Sequence, residues 1–310
     1  MNITLIISSL IISTILHFSI QKIFIFYKKF DAFNDRSSHN TLATRTGGIG
    51  VFLTLFFISL LMYFYKIDIY DYSLLIPLGI MIIIGVYDDL YNADFKLKFF
   101  LQIIVAKILI DQGFIISNYY GLFGIYEIPR TLAQLSTIFV FIIIVNSINF
   151  IDGIDGLALS EVIKAVFLVE FFSKEDTPLK FMGIIIIFSL IPLYYFNFKK
   201  DKKIFLGDGG SLLLGTVIAA YLFFVLGNNY NFKETFHINK ALFSVIVILY
   251  PLIDLLRVFI LRISKKRSPF EADQNHLHHI IFKGQNHFKK LLLIESLSFF
   301  IFVLIMLIKL

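Results

Sequence analysis

The sequence contains no cysteine and no tryptophan, and only 16% of its 310 residues are charged. Without cysteine, disulfides, thiolate metal sites and cysteine nucleophiles are all excluded. Without tryptophan, the aromatic belt of a membrane protein must come from the 15 Tyr and 37 Phe. Charge is scarce because apolar residues displace it: 58% of the chain is hydrophobic and the mean hydropathy is +0.82. A soluble domain of this length does not need so much apolar surface, because a single core saturates earlier. The apolar residues also fall in long blocks, each near the ~20 residues that a helix needs to cross a bilayer core.

Hydropathy predicts an all-α integral membrane protein with about ten spans, near 3–26, 47–65, 73–88, 99–117, 132–148, 157–172, 181–197, 211–227, 241–261 and 291–309. The first block starts at once and is followed, not preceded, by Lys22, Lys28 and Lys29. That is the reverse of a secretory signal, so a retained span is expected. With the N-terminus outside, the inward loops hold 17 of the 28 Lys and Arg, and the outward segments hold seven. This positive-inside bias puts both termini outside. It also assigns the net charge of +6 to cytoplasmic loops and argues against nucleic acid as a partner. No internal repeat or linker divides the chain, so residues 1–310 read as a single polytopic domain.

Under this topology the unusual polar clusters all fall on the cytoplasmic side. Asp88 and Asp89 end the third span with no lysine adjacent in sequence, and a cation or a proton would relieve their repulsion. Asn146, Asn149, Asp152 and Asp155 recur every third position across a break between two spans, with Gly153 and Gly156 beside them. Two Asn and two Asp at membrane depth are costly unless they face a polar site. Gly207-Asp208-Gly209-Gly210-Ser211 opens the eighth span, and glycines at a helix N-terminus suit phosphate as readily as they suit an ordinary cap. Arg36 and His39, with Thr44-Arg45-Thr46-Gly47-Gly48 after them, repeat that anion-binding pattern. His276, His278 and His279 lie in the last inward loop, without the spacing of a standard zinc site, and suit phosphoryl oxygens better. Lys107 and Lys164 are expected to pair inside the bundle, and His287 to belong to a solvated loop. Acids, glycine-rich helix starts and basic donors together point to metal-dependent phosphoryl transfer at a membrane surface.

These motifs, in this order over about residues 30 to 280, resemble the polyprenyl-phosphate N-acetylhexosamine-1-phosphate transferase family. The resemblance implies a bacterial inner-membrane enzyme whose active-site loops face the cytoplasm. Such an enzyme joins a UDP-N-acetylhexosamine to undecaprenyl phosphate with Mg²⁺, or Mn²⁺ in its place, and releases UMP. Asp88 and Asp89 match the catalytic acidic pair, and Asn149 and Asp208 match magnesium-associated positions. Asn146, Asp152 and Asp155 match the nucleotide-sugar pocket; His276, His278 and His279 match the histidine loop; Arg36, His39 and Lys98 match basic residues near the phosphates. Leu277 interrupts the three consecutive histidines usual in the phospho-muramoyl-pentapeptide branch, so the resemblance favours members that initiate O-antigen or teichoic acid synthesis. It leaves a homodimer open. Two other readings are a magnesium-dependent intramembrane prenyltransferase, from Asp152-Gly153-Ile154-Asp155, and a transporter. The second fits poorly, because the polar residues gather at inner helix ends and not at the bilayer midplane.

Overall fold

A chain this apolar has to satisfy its backbone internally wherever it meets lipid, and helices do so segment by segment. The computed structural model describes residues 1–30, 43–122, 124–236, 238–266 and 286–307. Its helices are α1 (Asn2–Phe26), α2 (Gly47–Phe64), α3 (Leu75–Tyr91), α4 (Phe95–Asp111), α5 (Arg130–Ile151), α6 (Leu157–Phe172), α7 (Lys180–Phe198), α8 (Gly207–Leu226), α9 (Lys240–Val247), α10 (Leu249–Ser264) and α11 (His287–Leu307). Among the described residues, α1, α2, α3 with its preceding 3-10 turn, α5, α7 and α8 are each long and apolar enough to cross a membrane. The expected ninth span is broken: α9 and α10 meet at 74°. Pro251 explains the break, since it lacks the N–H that would continue α9 and is tolerated in the first turn of a new helix. The expected fourth and sixth spans correspond to α4 and α6, which are only 17 and 16 residues long and carry lysines.

The chain divides into two compact units, 1–101 with 177–214, and 102–176 with 215–310. In the first, α1 runs parallel to α7. Ser13 Oγ donates to the Ser189 carbonyl at 2.7 Å, and near the other end Gln21 Nε2 donates to the Lys202 carbonyl at 2.7 Å. Ser9, Ser13, His17 and Gln21, each four residues apart, form the buried stripe of α1. Small and polar residues of this kind replace the hydrophobic effect as the glue between helices in lipid. Two short parallel strands, β1 (Ala43–Thr44) and β4 (Lys203–Ile204), tie the entrance of α2 to the segment before α8. The Gly47 and Gly48 N–H groups then donate to the Phe205 and Leu206 carbonyls, both at 2.9 Å. This corrects the expectation of an anion site at Gly47-Gly48, because the protein's own backbone takes those donors.

In the second unit the C-terminal ends of α5 and α10 lie with the start of α11. Phe150 is 6.5 Å from Phe259 between ring centroids, and His287 Nδ1 lies 3.2 Å from Asp155 Oδ2. A hairpin of β2 (Asn118–Leu122) and β3 (Ile125–Glu127) belongs to the opposite end, where Tyr120 Oη donates to the Leu226 carbonyl at 3.0 Å. The all-helical expectation missed this hairpin, although its aromatic residues and Gly121 and Gly124, both at positive φ, carry a turn signal. Lys164 does pair inside this unit, with Glu161 and Glu295. Lys107 does not: it pairs with Asp111 one turn on, on an exposed face.

Two glycines of α3 separate close packing from open space. A Cβ at Gly85 would stand 2.3 Å from the Gly209 Cα, whereas one at Gly79 would meet Phe52 at 3.5 Å. Gly85→Ala should therefore destabilise the detergent-solubilised protein by about 1–3 kcal/mol through overpacking. Gly79→Ala should be neutral or slightly stabilising, because alanine is the better helix former. Equal melting temperatures for the two variants would show that α3 and α8 do not rely on this approach.

Candidate active site

At one end of the first unit the sequence gathers three carboxylates and two cations. Asp88 and Asp89 occupy the last turn of α3, which stops at Asn92, a left-handed residue at φ 53°. Asparagine adopts this conformation more readily than other non-glycine residues, and its place here starts a tight turn into α4. The turn brings Lys98 back to Asp88: Nζ lies 2.6 Å from Asp88 Oδ2 and 2.8 Å from Asp208 Oδ2. The repulsion of the acidic pair is thus relieved by a lysine of the next helix, one turn in, and not only by an outside cation as the sequence suggested. Burial by itself would lower the Lys98 pKa, but Asp208 and Asp88 outweigh it and hold the ammonium above the usual lysine range. Lys98 is a fixed cation.

Asp89 serves the neighbouring helix. Its Oδ2 accepts the Gly209 N–H at 3.2 Å and its Oδ1 pairs with Arg45 Nη1 at 3.3 Å. The anion drawn to the glycine-rich start of α8 is therefore, in this structure, a carboxylate of α3. Gly209 and Gly210 also have packing roles, since Cβ atoms on them would crowd Val86 and Leu206. Asp88 is held at both oxygens as well, because Oδ1 accepts the Ala93 N–H at 2.7 Å. Beside Asp89 opens a cavity of about 140 Å³, lined in part by Lys28, Lys29 and Arg45, with Phe24 and Phe30 as apolar walls. Sequence reasoning took Lys28 and Lys29 only as topology signals. Their position at the inward end of the first span was the available clue.

The second unit holds the other run of candidates. Asn146, near the end of α5, donates to Gln102 Oε1 and to the Ile142 carbonyl, both at 2.8 Å. Asn149 is one turn further along α5, Asp152 caps that helix, and Asp155 lies in the turn before Gly156, the left-handed cap of α6. The Asp155 N–H donates to His287 Nδ1 at 3.2 Å. His287 thus opens α11 against Asp155 and is not the loop residue the sequence suggested. Arg36, His39, His276, His278 and His279 lie outside the described residues.

For a divalent cation, the first unit supplies hard carboxylate oxygens and, counting Asp88, Asp89 and Asp208 against Lys98 and Arg45, one surplus negative charge. Among the described residues no three His, Cys, Asp or Glu converge as a complete metal cage. Such a donor set suits Mg²⁺, which commonly takes one or two carboxylates and completes its shell with water and substrate phosphate.

The sequence profile of glycosyl transferase family 4 matches residues 71–226, half of the chain, from the approach to α3 through the end of α8. The chain belongs to glycosyl transferase family 4. It is similar to the decaprenyl-phosphate N-acetylglucosaminephosphotransferase of Mycobacterium leprae, 28% identical over 84% of this chain and 72% of the relative. It is similar also to the undecaprenyl-phosphate alpha-N-acetylglucosaminyl 1-phosphate transferases of Salmonella typhi, 27% identical over 90% of this chain and 76% of the relative, and of Haemophilus influenzae, 30% identical over 69% and 61%. The matched region includes Asp88, Asp89, Lys98, the 146–155 run and Asp208. Membership makes this transferase an enzyme and sets aside the prenyltransferase and transporter readings.

The two cations of the acidic centre should respond differently to substitution. Lys98→Met leaves two half-buried carboxylates facing each other and should cost about 2–3 kcal/mol. Arg45 is 42% exposed, and Arg45→Ala should stay within about 1 kcal/mol. Thermal unfolding of the solubilised proteins measures both, and an Arg45 effect as large as that of Lys98 would refute the ranking.

Proposed function

We propose that this protein transfers N-acetylhexosamine-1-phosphate, N-acetylglucosamine-1-phosphate in the first instance, from a UDP-sugar to undecaprenyl phosphate at the cytoplasmic face of a bacterial inner membrane. The product is the lipid-linked sugar diphosphate that starts a cell-surface polysaccharide, and UMP leaves. The observation that carries the proposal is the Lys98 ammonium held between Asp88 and Asp208, a fixed cation in an acidic cluster at one helix end. The names of the relatives supply the polyprenyl phosphate and the sugar. Hydropathy supports a reading of about ten spans, and the charge bias of the loops supports an orientation with both ends outside.

The acceptor phosphate monoester has a second pKa of about 6 and is mostly a dianion at neutral pH. It needs no strong base; it needs its charge held beside that of the diphosphate. We assign Lys28, Lys29 and Arg45, around their cavity, and Lys98 to the phosphoryl oxygens, with Arg36 and the histidines of 276–279 as further donors. Asp208 and Asn149 are the magnesium-associated positions, and Asn146, Asp152 and Asp155 are assigned to the nucleotide sugar. Mg²⁺ bound there would neutralise charge that builds on the transferring phosphoryl group. A lipid-phosphate oxygen forms the new bond to the sugar-bearing phosphorus as the bond to the UMP oxygen breaks.

All four oxygens of Asp88 and Asp89 already accept donors, from Lys98, Ala93, Arg45 and Gly209. A carboxylate so engaged is a poor nucleophile, so we assign the pair to positioning cations and α8. Single displacement follows, and with it inversion at phosphorus.

The purified protein should release UMP from UDP-N-acetylglucosamine only when undecaprenyl phosphate and Mg²⁺ are both present. EDTA should abolish that release, and Asp208→Asn should lower it by about 10²–10³-fold. If no UDP-N-acetylhexosamine in a panel yields UMP, the proposed function is wrong. With a donor made chiral at the sugar-bearing phosphorus, the product should be inverted; retention would instead require a covalent aspartyl-phosphate intermediate.

A further inference from the structure

The chain leaves α1 through a closed turn: the Lys28 N–H donates to the Ile25 carbonyl at 3.0 Å and the Lys29 N–H to the Phe24 carbonyl at 2.8 Å. Lys28 sits at φ 54°, a left-handed position where such a turn favours glycine. Lysine at a helix C-terminus has an ordinary use, because it complements the helix dipole. Lys66 has that use: it ends α2 in the same turn, at φ 56°, and does not line the cavity beside Asp89. Lys28 and Lys29 do line it, together with Arg45. Arg45 is paired with Asp89, whereas neither lysine has a carboxylate partner among the described residues. Lys29 Nζ instead lies over the Tyr91 ring, 5.6 Å from its centroid. Three cations against one carboxylate leave the described lining with a surplus of two positive charges. Asp88, Lys98 and Asp208 do not line the cavity; counting them too lowers the surplus to one, before any divalent cation binds. The remaining walls, Phe24, Phe30, Val86 and Leu90, are apolar, and Ile23, Phe26 and Tyr27 at the end of α1 are exposed.

We propose that this cavity holds the phosphate monoester of the lipid acceptor, and that Lys28 and Lys29 set the affinity for it. The proposal rests on the transferase reading and divides the cations of that reading between its two substrates. A monoester dianion is matched by two lysines that no carboxylate neutralises. The donor's diphosphate has less need of them, because it shares its charge with a metal ion. The apolar walls fit the same assignment. A polyprenyl chain stays in the bilayer, and the phosphate at its end lies at the membrane surface, where α1 ends. Lysine stems can cover apolar wall there while their ammonium groups meet the phosphate. A soluble anion such as inorganic phosphate could use the same ammonium groups but would gain nothing from Phe24 and Phe30, so the lipid should bind more tightly.

The test titrates the full chain in lipid nanodiscs with undecaprenyl phosphate, in the absence of donor. Lys28→Gly keeps the turn, since glycine suits its left-handed position, and Lys29→Ala removes the neighbouring charge. Each should weaken binding by about tenfold, the loss of one charge-assisted contact. Lys66→Gly should leave it unchanged. Inorganic phosphate and undecaprenol should both compete poorly, because each offers only half of the contacts. In turnover, both lysine variants should raise KM for undecaprenyl phosphate and leave kcat and KM for the UDP-sugar within about twofold. Four results would overturn the proposal. Lipid binding could be unchanged in both lysine variants, or Lys66→Gly could weaken it as much as Lys28→Gly does. The variants could raise KM for the UDP-sugar instead, which would give the cavity to the donor. Inorganic phosphate could compete as well as the lipid, which would make the cavity a general anion site. Lysine-dependent binding of the lipid without UMP release from any donor would count against the transferase reading alone and leave a lipid-phosphate site.

Discussion

Because Gly85 and Gly209 carry no side chains, α3 and the start of α8 approach until a Cβ atom on either would overlap the other helix. Gly48 and Gly210 make the same approach between α2 and α8. Lipid offers no hydrophobic reward for bringing helices together, so close backbone contact and buried polar contacts have to do it. Only at this separation can Asp89 reach the Gly209 N–H and can Lys98 touch both Asp88 and Asp208. Steric permission comes first, and the electrostatics of the acidic centre follow from it.

The cluster has a formal surplus of acid over base. A fully balanced set of ion pairs would be inert scaffolding. Here the ammonium is held between two carboxylates, the carboxylates of Asp88 and Asp89 are engaged by protein donors, and the remaining formal negative charge suits a divalent cation.

Hydropathy alone determined that this is a helical membrane protein, because apolar blocks of bilayer length have no other economical structure. It located α1, α2, α3, α5, α7 and α8 to within a few residues, and the spacing of Asp88-Asp89, Asn146 to Asp155 and Asp208 marked the candidate site. Those features are local, and local features are legible in a sequence. Contacts between distant segments were not. The Gly47 and Gly48 N–H groups looked free for an anion until Phe205 and Leu206 took them, and Asp89 proved to be the anion at the start of α8. The bend at Pro251, the hairpin around Tyr120, the pairing of His287 with Asp155 and that of Lys164 with Glu295 likewise depend on partners away from the residue itself. A donor or an acid is written in the sequence; what meets it is fixed only when the helices pack.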